Sequence, residues 1–157
     1  MKKIFFTVAL LATVFVQQSF AQDSTKTQTS SLLTSYYAIK DALVGGDPNA
    51  AAASAREFLT AIDAIDKAMV TPEGLSTLIG GATSISQSKD SKVQREKFAA
   101  LSANVFALAK MVKLSDEPIF QQYCPMKKAF WLSNNKTIKN PYYGSAMLTC
   151  GSVKETL

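Results

Sequence analysis

Two thiols and two thioethers stand in paired positions toward the C-terminal end of the chain, in Cys124-Pro125-Met126 and again in Met147-Leu148-Thr149-Cys150. The chain has no histidine, and these are its two cysteines. Thiolate and thioether sulfurs are soft ligands that favour Cu(I) or Ag(I), while the missing imidazole removes the commonest zinc ligand and the commonest general base. Cys124, Met126, Met147 and Cys150 are therefore the candidate metal ligands. On an extended strand the spacing of Cys124 and Met126 sets both sulfurs on one side, with Pro125 tolerable at an edge. On a helix the spacing of Met147 and Cys150 sets them on one face. Under both conditions four sulfurs can converge.

A second reading of the same cysteines stands beside the first. An oxidising compartment favours a Cys124–Cys150 disulfide, which closes a loop of about 26 residues and is worth roughly 3.5 kcal/mol in the chain-entropy model. Met126 and Met147 then fill apolar gaps, as methionine often does. The protein is in that case a structural or protein-interaction module without metal. Nothing in the chain sets a nucleophile beside a base, builds a glycine-rich phosphate cradle or pairs carboxylates at a recognisable spacing, so no enzymatic activity is expected.

The elements that must position these sulfurs follow a different logic. Met1-Lys2-Lys3 is a basic start, residues 4–16 form an almost unbroken apolar run, and Ser19-Phe20-Ala21 supplies small residues at the cleavage positions. Residues 1–21 are thus predicted to be a signal peptide, and the protein to be periplasmic or secreted. The apolar run is shorter than the ~20 residues a membrane span needs, so no membrane span is expected in the mature protein. Because Gln22 and not cysteine follows the cleavage point, a lipidated N-terminus is not expected. The formal net charge of +5 falls once Lys2 and Lys3 are removed, which is too mild to argue for nucleic acid.

Residues 22–29 are polar and read as a flexible leader, with residues 30–157 as a single helical domain. Leu32, Tyr36, Ile39 and Leu43 recur at helical spacing until Gly45-Gly46 stops them. Asp47-Pro48 and Thr71-Pro72 are start signals, a capping oxygen followed by a proline whose missing N–H costs nothing at the first helical position. Between them Ala55, Leu59, Ile62, Ile65 and Met69 predict the buried side of a second helix. A third carries Leu75, Leu78, Ile79, Ala82 and Ile85 despite Gly80-Gly81. Asp90 or Ser91 caps a fourth with Phe98, Leu101, Val105, Leu108 and Val112 inward. The expected fold is mainly α, a four-helix up-and-down bundle, because brief connections force sequential helices side by side. Glu57, Asp63, Asp66 and Arg95 read as ordinary charges on solvated helix faces.

Residues 118–157 differ in character and are predicted to be a small tail module, a β-hairpin plus a short helix. Residues 119–123 and 129–132 are short, aromatic and β-leaning, and residues 140–144 are turn chemistry. A short helix over residues 142–149 would close with Gly151 as a left-handed cap. Trp131, Phe130, Tyr142 and Tyr143 are expected to anchor this module to the larger core. Its ionisable groups are Lys127, Lys128, Lys136, Lys139 and Lys154 against Glu155 alone, which reads as a solvated lysine-bearing surface before it reads as a dock for an acidic partner.

Across Cys124-Pro125-Met126, Trp131-Leu132-Ser133, Ile138, Asn140-Pro141-Tyr142-Tyr143-Gly144, Met147 and Cys150-Gly151, the chain resembles a family of uncharacterised bacterial periplasmic helical domains of unknown function. The same module resembles the C-terminal part of some copper/silver efflux membrane-fusion proteins. The body resembles that family through residues 37–43 and through Arg95, Phe98, Leu101 and Ser102. The resemblance implies a place in heavy-metal handling, with Cys124, Met126, Met147 and Cys150 as the sulfur positions and metal-efflux or metallochaperone components as partners. The chain departs from the pattern where Lys127-Lys128-Ala129-Phe130 replaces a longer small-residue loop. With no membrane-fusion hairpin or barrel portion in the sequence, a stand-alone module is expected.

Overall fold

The computed structural model describes residues 19–157, so residues 1–18 of the predicted signal peptide lie outside the described residues. Helix α1 runs Ser19–Gly45, α2 Pro48–Ala64, α3 Pro72–Gln87 and α4 Ser91–Met111, followed by strands β1 Phe120–Cys124, β2 Ala129–Ser133 and β3 Ser152–Thr156. Short 3-10 turns occupy Lys67–Met69 and Gly144–Met147. Residues 22–29, read from the sequence as a flexible leader, fall within the bounds of α1. Among the described residues no helix is long and apolar enough to cross a membrane.

The punctuation between helices works as the residues dictate. Asp47 N–H bonds the Ala42 carbonyl at 3.0 Å and Gly46 N–H the Leu43 carbonyl at 3.3 Å, which closes α1 with Gly46 at φ 71°. The same Asp47 then opens α2, its carboxylate accepting the N–H groups of Asn49 and Ala50 at 2.9 Å each. Thr71 accepts from Gly74 N–H, and Asp90 accepts from Lys92 and Val93 N–H.

Each helix packs mainly on its neighbour in sequence, α1 on α2, α2 on α3 and α3 on α4. An added Cβ at Gly81 would lie 3.4 Å from Leu101 Cβ, so the glycine permits close approach of α3 and α4. Two inner faces differ from expectation. The buried side of α2 is Ala51, Ala52, Ala55, Phe58 and Ile62; the helix ends before Ile65, its C-cap and itself buried, and Met69 closes the 3-10 turn that follows. On α3, Leu78, Ala82 and Ile85 are buried but Ile79 is exposed, one position off the inward stripe. In α4 the predicted face is found at Phe98, Leu101, Val105 and Leu108, with Gln94 and Ser102 buried beside it, while Val112 is the half-buried C-cap.

The tail, expected as a hairpin with a short helix, is a three-stranded antiparallel sheet in the order β2-β1-β3. Cys124 faces Ala129 across one ladder, and Tyr123 faces Ser152 across the other. The predicted helix over residues 142–149 shrinks to the 3-10 turn Gly144–Met147. Gly151 caps no helix there; its φ of 151° belongs to the sharp entry into β3.

The sheet lies on the helices through β2 and α4. Trp131 and Leu132 are fully buried, as is Tyr36 on α1. Leu132 N–H, on the edge of the sheet, donates to the Tyr36 hydroxyl at 3.0 Å, and that hydroxyl shares a 2.8 Å hydrogen bond with Ser102. An edge group that would otherwise seek another strand is thereby satisfied inside the fold. Tyr36 stacks on Phe98 at 5.2 Å, and Tyr142 meets Trp131 edge-on at 5.9 Å.

Two buried glutamines hold backbone together in both regions. Gln94 Nε2 donates to the carbonyls of Pro48, Ile85 and Ser88, gathering the starts and ends of three helices. Gln122 Nε2 does the same for the carbonyls of Asn135, Lys136 and Thr137 beyond β2.

Candidate functional site

Cys124 is the last residue of the central strand, and it is wholly buried. The pairing of Tyr123 with Ser152 puts the start of β3 beside the end of β1, which brings Cys150 up against Cys124. Both are free thiols, and the Cys124 side chain is near enough to raise the ionisation of Cys150. Of the four sulfur residues named from the sequence, the fold brings the two cysteines together.

The methionines are placed differently. Met126 is not on the strand with Cys124, because β1 ends at Cys124 and residues 125–128 turn the chain into β2. Its side chain is 64% exposed. Met147 ends the 3-10 turn and is half-buried, with Cys150 beyond it and not on a shared helical face. Cys150 N–H does bond the Met147 carbonyl at 3.0 Å. The spacing argument fails in both cases because it assumed regular elements where the chain turns.

What the turn does supply is backbone donors. Lys127 N–H points at Cys124 Sγ at 3.4 Å, and Met126 N–H at the Cys150 sulfur. Two successive amides thus face two sulfurs, an arrangement suited to negative charge on thiolates. Lys128 closes the turn at φ 55°, in the left-handed region that non-glycine residues seldom occupy. Lys127 and Lys128 add positive charge to the same corner.

Burial pushes the Cys150 thiol above its ordinary range, the hydrogen bond and charge of the Cys124 sulfur add to this, and Met126 N–H pulls the other way. Binding a soft cation at Cys150 therefore releases a proton.

The far side of the site is braced by residues the sequence marked only as turn chemistry. Asn140, fully buried, donates from Nδ2 to the Cys150 carbonyl and accepts from Tyr142 N–H, both at 2.8 Å. Its own N–H reaches the Leu148 carbonyl. The Tyr142 hydroxyl donates to the Phe130 carbonyl, and burial raises its ionisation far above the usual tyrosine value. Trp131 and Tyr142 anchor the module in the core as expected, whereas Phe130 is partly exposed.

Arg95, read as a solvated helix charge, is instead half-buried. Its guanidinium donates to the carbonyls of Pro141 at 3.0 Å and Leu43 at 2.9 Å, joining the end of α1 to the loop that carries Cys150. A Cβ at Gly144 would fall 2.8 Å from that guanidinium, and Gly144 has φ 54°, so glycine is required there. No periodicity announces such a clamp.

Among the described residues no group of three or more His, Cys, Asp or Glu gathers in a way that could hold a metal. A four-ligand zinc site is not built from them; two thiolates suit an ion content with few soft ligands. Open surface grooves of about 400 Å³ between Ala109 and Ile119 and about 540 Å³ between α1 and α2 are lined by no cysteine.

Compared with known proteins, residues 32–117 match the model of a family described as protein of unknown function (DUF3347). The matched stretch covers the helical body from within α1 through α4 and ends before β1. No curated protein and no solved structure matches the chain.

Proposed function

The chain belongs to the DUF3347 family, and from that premise together with the thiol geometry we propose that it is an exported, non-enzymatic domain that binds or relays Cu(I) or Ag(I) in heavy-metal handling. The up-and-down helical scaffold holds the tail module, and the tail module holds the ion. Cys124 and Cys150 are the anchoring ligands, with Met126 and Met147 as the nearby thioether donors. The observation that carries the reading is the placement of the two cysteines side by side at the turn whose Met126 and Lys127 N–H groups face them. A dithiolate holding one monovalent ion keeps a net negative charge, which these amides and the adjoining lysines offset. Export is supported by the basic, apolar, small-residue start of the chain. Metal-efflux or metallochaperone components are the partners that the resemblance of the tail supports.

Titration of the fully reduced protein with Cu(I), followed by native mass spectrometry, tests this. One ion per chain is expected, lost in Cys124→Ser and in Cys150→Ser. Retention by both variants, or no uptake by the reduced wild type, overturns the proposal. Leucine at Met126 and Met147 together sorts the ligand set: weaker retention assigns the thioethers to the ion, and unchanged retention leaves it to the thiolates alone.

A further inference from the structure

The two thiols are unequal in one respect that matters for chemistry. Cys124 is 0% exposed, on the central strand with β2 on one side and β3 on the other. Cys150 is half-buried, in the loop between the 3-10 turn and β3, where an incoming sulfur can reach it. The pairing of Tyr123 with Ser152 sets the two cysteines side by side. Gly151, at φ 151°, follows Cys150 directly, and Asn140 holds the Cys150 carbonyl, so the loop is fixed at its backbone while Cys150 keeps partial exposure.

We propose that Cys150 is a thiol–disulfide exchange site and Cys124 its resolving thiol, so that disulfide-bearing molecules close the sulfur pair and dithiols reopen it. This deepens the metal reading by giving the same site a redox control, and it rests on that reading only for its consequence, not for its chemistry.

The exchange balances as follows. The Cys150 thiolate attacks one sulfur of a disulfide R–S–S–R; the Cys150–S–R bond forms, the R–S–S–R bond breaks, and the first R–S⁻ leaves with the bonding pair and takes up the proton that Cys150 gave up. Cys124 then attacks the Cys150 sulfur, the Cys124–Cys150 bond forms, and the second R–S⁻ departs with the proton released by Cys124. Two protein thiols are oxidised by two electrons and one external disulfide is reduced to two thiols. Lys127 N–H is directed at Cys124 Sγ, the sulfur that makes the second attack. With both sulfurs in the disulfide, no thiolate remains for a soft cation.

The test uses the full chain, metal-free and reduced, with oxidised glutathione as the probe and intact mass as the readout. Cys124→Ser and Cys124→Ala should each accumulate one glutathione adduct, because the attacking thiol remains and the resolving thiol is gone. Cys150→Ser should be modified at least tenfold more slowly. Wild type should lose two hydrogens and retain no glutathione. Equal rates in the single-cysteine variants, with far-UV circular dichroism of folded protein in each, overturn the assignment, as does a wild type that keeps its adduct. No metal enters these measurements, so failure to take up Cu(I) leaves the exchange standing and failure to exchange leaves the metal reading standing. Oxidised wild type should then take up no Cu(I) until a dithiol is added; equal uptake before and after reduction overturns the link between the two.

Discussion

The helical body and the tail sheet are built by different kinds of instruction. In the body, Asp47, Thr71 and Asp90 each stand next to the helix they open, and their oxygens reach amides two or three residues away. In the tail, the deciding contacts join residues far apart in sequence: Tyr36 to Leu132, Arg95 to Pro141, Cys124 to Cys150. Local punctuation is enough to set helices down, but the position of a reactive pair requires long-range clamps. The family match follows the same division, since it covers the body and stops before the sheet.

The comparison is broken most severely at Trp131, the side chain on which tail and body both close. Trp131→Ala should cost about 3–5 kcal/mol, read as a lower urea midpoint of helical ellipticity. If the helices unfold at an unchanged midpoint, the sheet is an independent unit and not part of one cooperative core. Gly151→Ala comes next, because a methyl at φ 151° would lie 2.9 Å from both Trp131 Cη2 and the Tyr123 carbonyl oxygen. About 2–4 kcal/mol is expected, together with a changed Trp131 emission spectrum.

Tyr36→Phe removes the hydroxyl that bridges Leu132 N–H and Ser102 and should cost about 1–3 kcal/mol in the same denaturation experiment. The same tyrosine gives the comparison a pH signature. Burial raises the ionisation of Tyr36 and Tyr142 well above the usual tyrosine value, the effect outweighing their hydrogen bonds. Below pH about 10 the unfolded chain keeps both phenols protonated, so their contribution is fully present. Above it the unfolded chain releases protons that the folded one retains, and stability falls as pH rises. Thermal unfolding in alkaline buffers should show this decline beginning near pH 10, and Tyr36→Phe should make it shallower. The smallest effect belongs to the body: Asp90→Ala should cost about 1 kcal/mol and leave Trp131 emission unchanged, since the lost cap serves α4 alone.

These differences also explain what was legible in the residues themselves. Phe98, Leu101, Val105 and Leu108 announced α4 because a helix face repeats at its own period, and Asp47-Pro48 announced α2 because capping is a neighbour effect. Ile79 misled because its apolar character fits the composition of an inward stripe while its angular position does not. Strand β3, Ser152–Thr156, gave no signal because most of its residues are exposed and lack the alternation that half-burial imposes. Cys124 and Cys150 were legible as chemistry, yet the spacing argument that joined them to their methionines was not, since both pairs straddle turns. Arg95 and Asn140 were hidden altogether: each works through distant carbonyls, and a carbonyl leaves no mark on the residue type that bears it.

The two buried glutamines narrow the paths open to the chain in evolution. Around Gln94 and around Gln122, three carbonyl oxygens face one amide nitrogen, and at each the amide oxygen has no protein partner. Glutamate differs by one group and by a single base in the codon, but it would turn a donor into a charge of the same sign as every neighbour. At both positions the change that alters the fewest atoms therefore sets a buried carboxylate against three carbonyl oxygens, and the most conservative swap on paper is among the most costly in the fold.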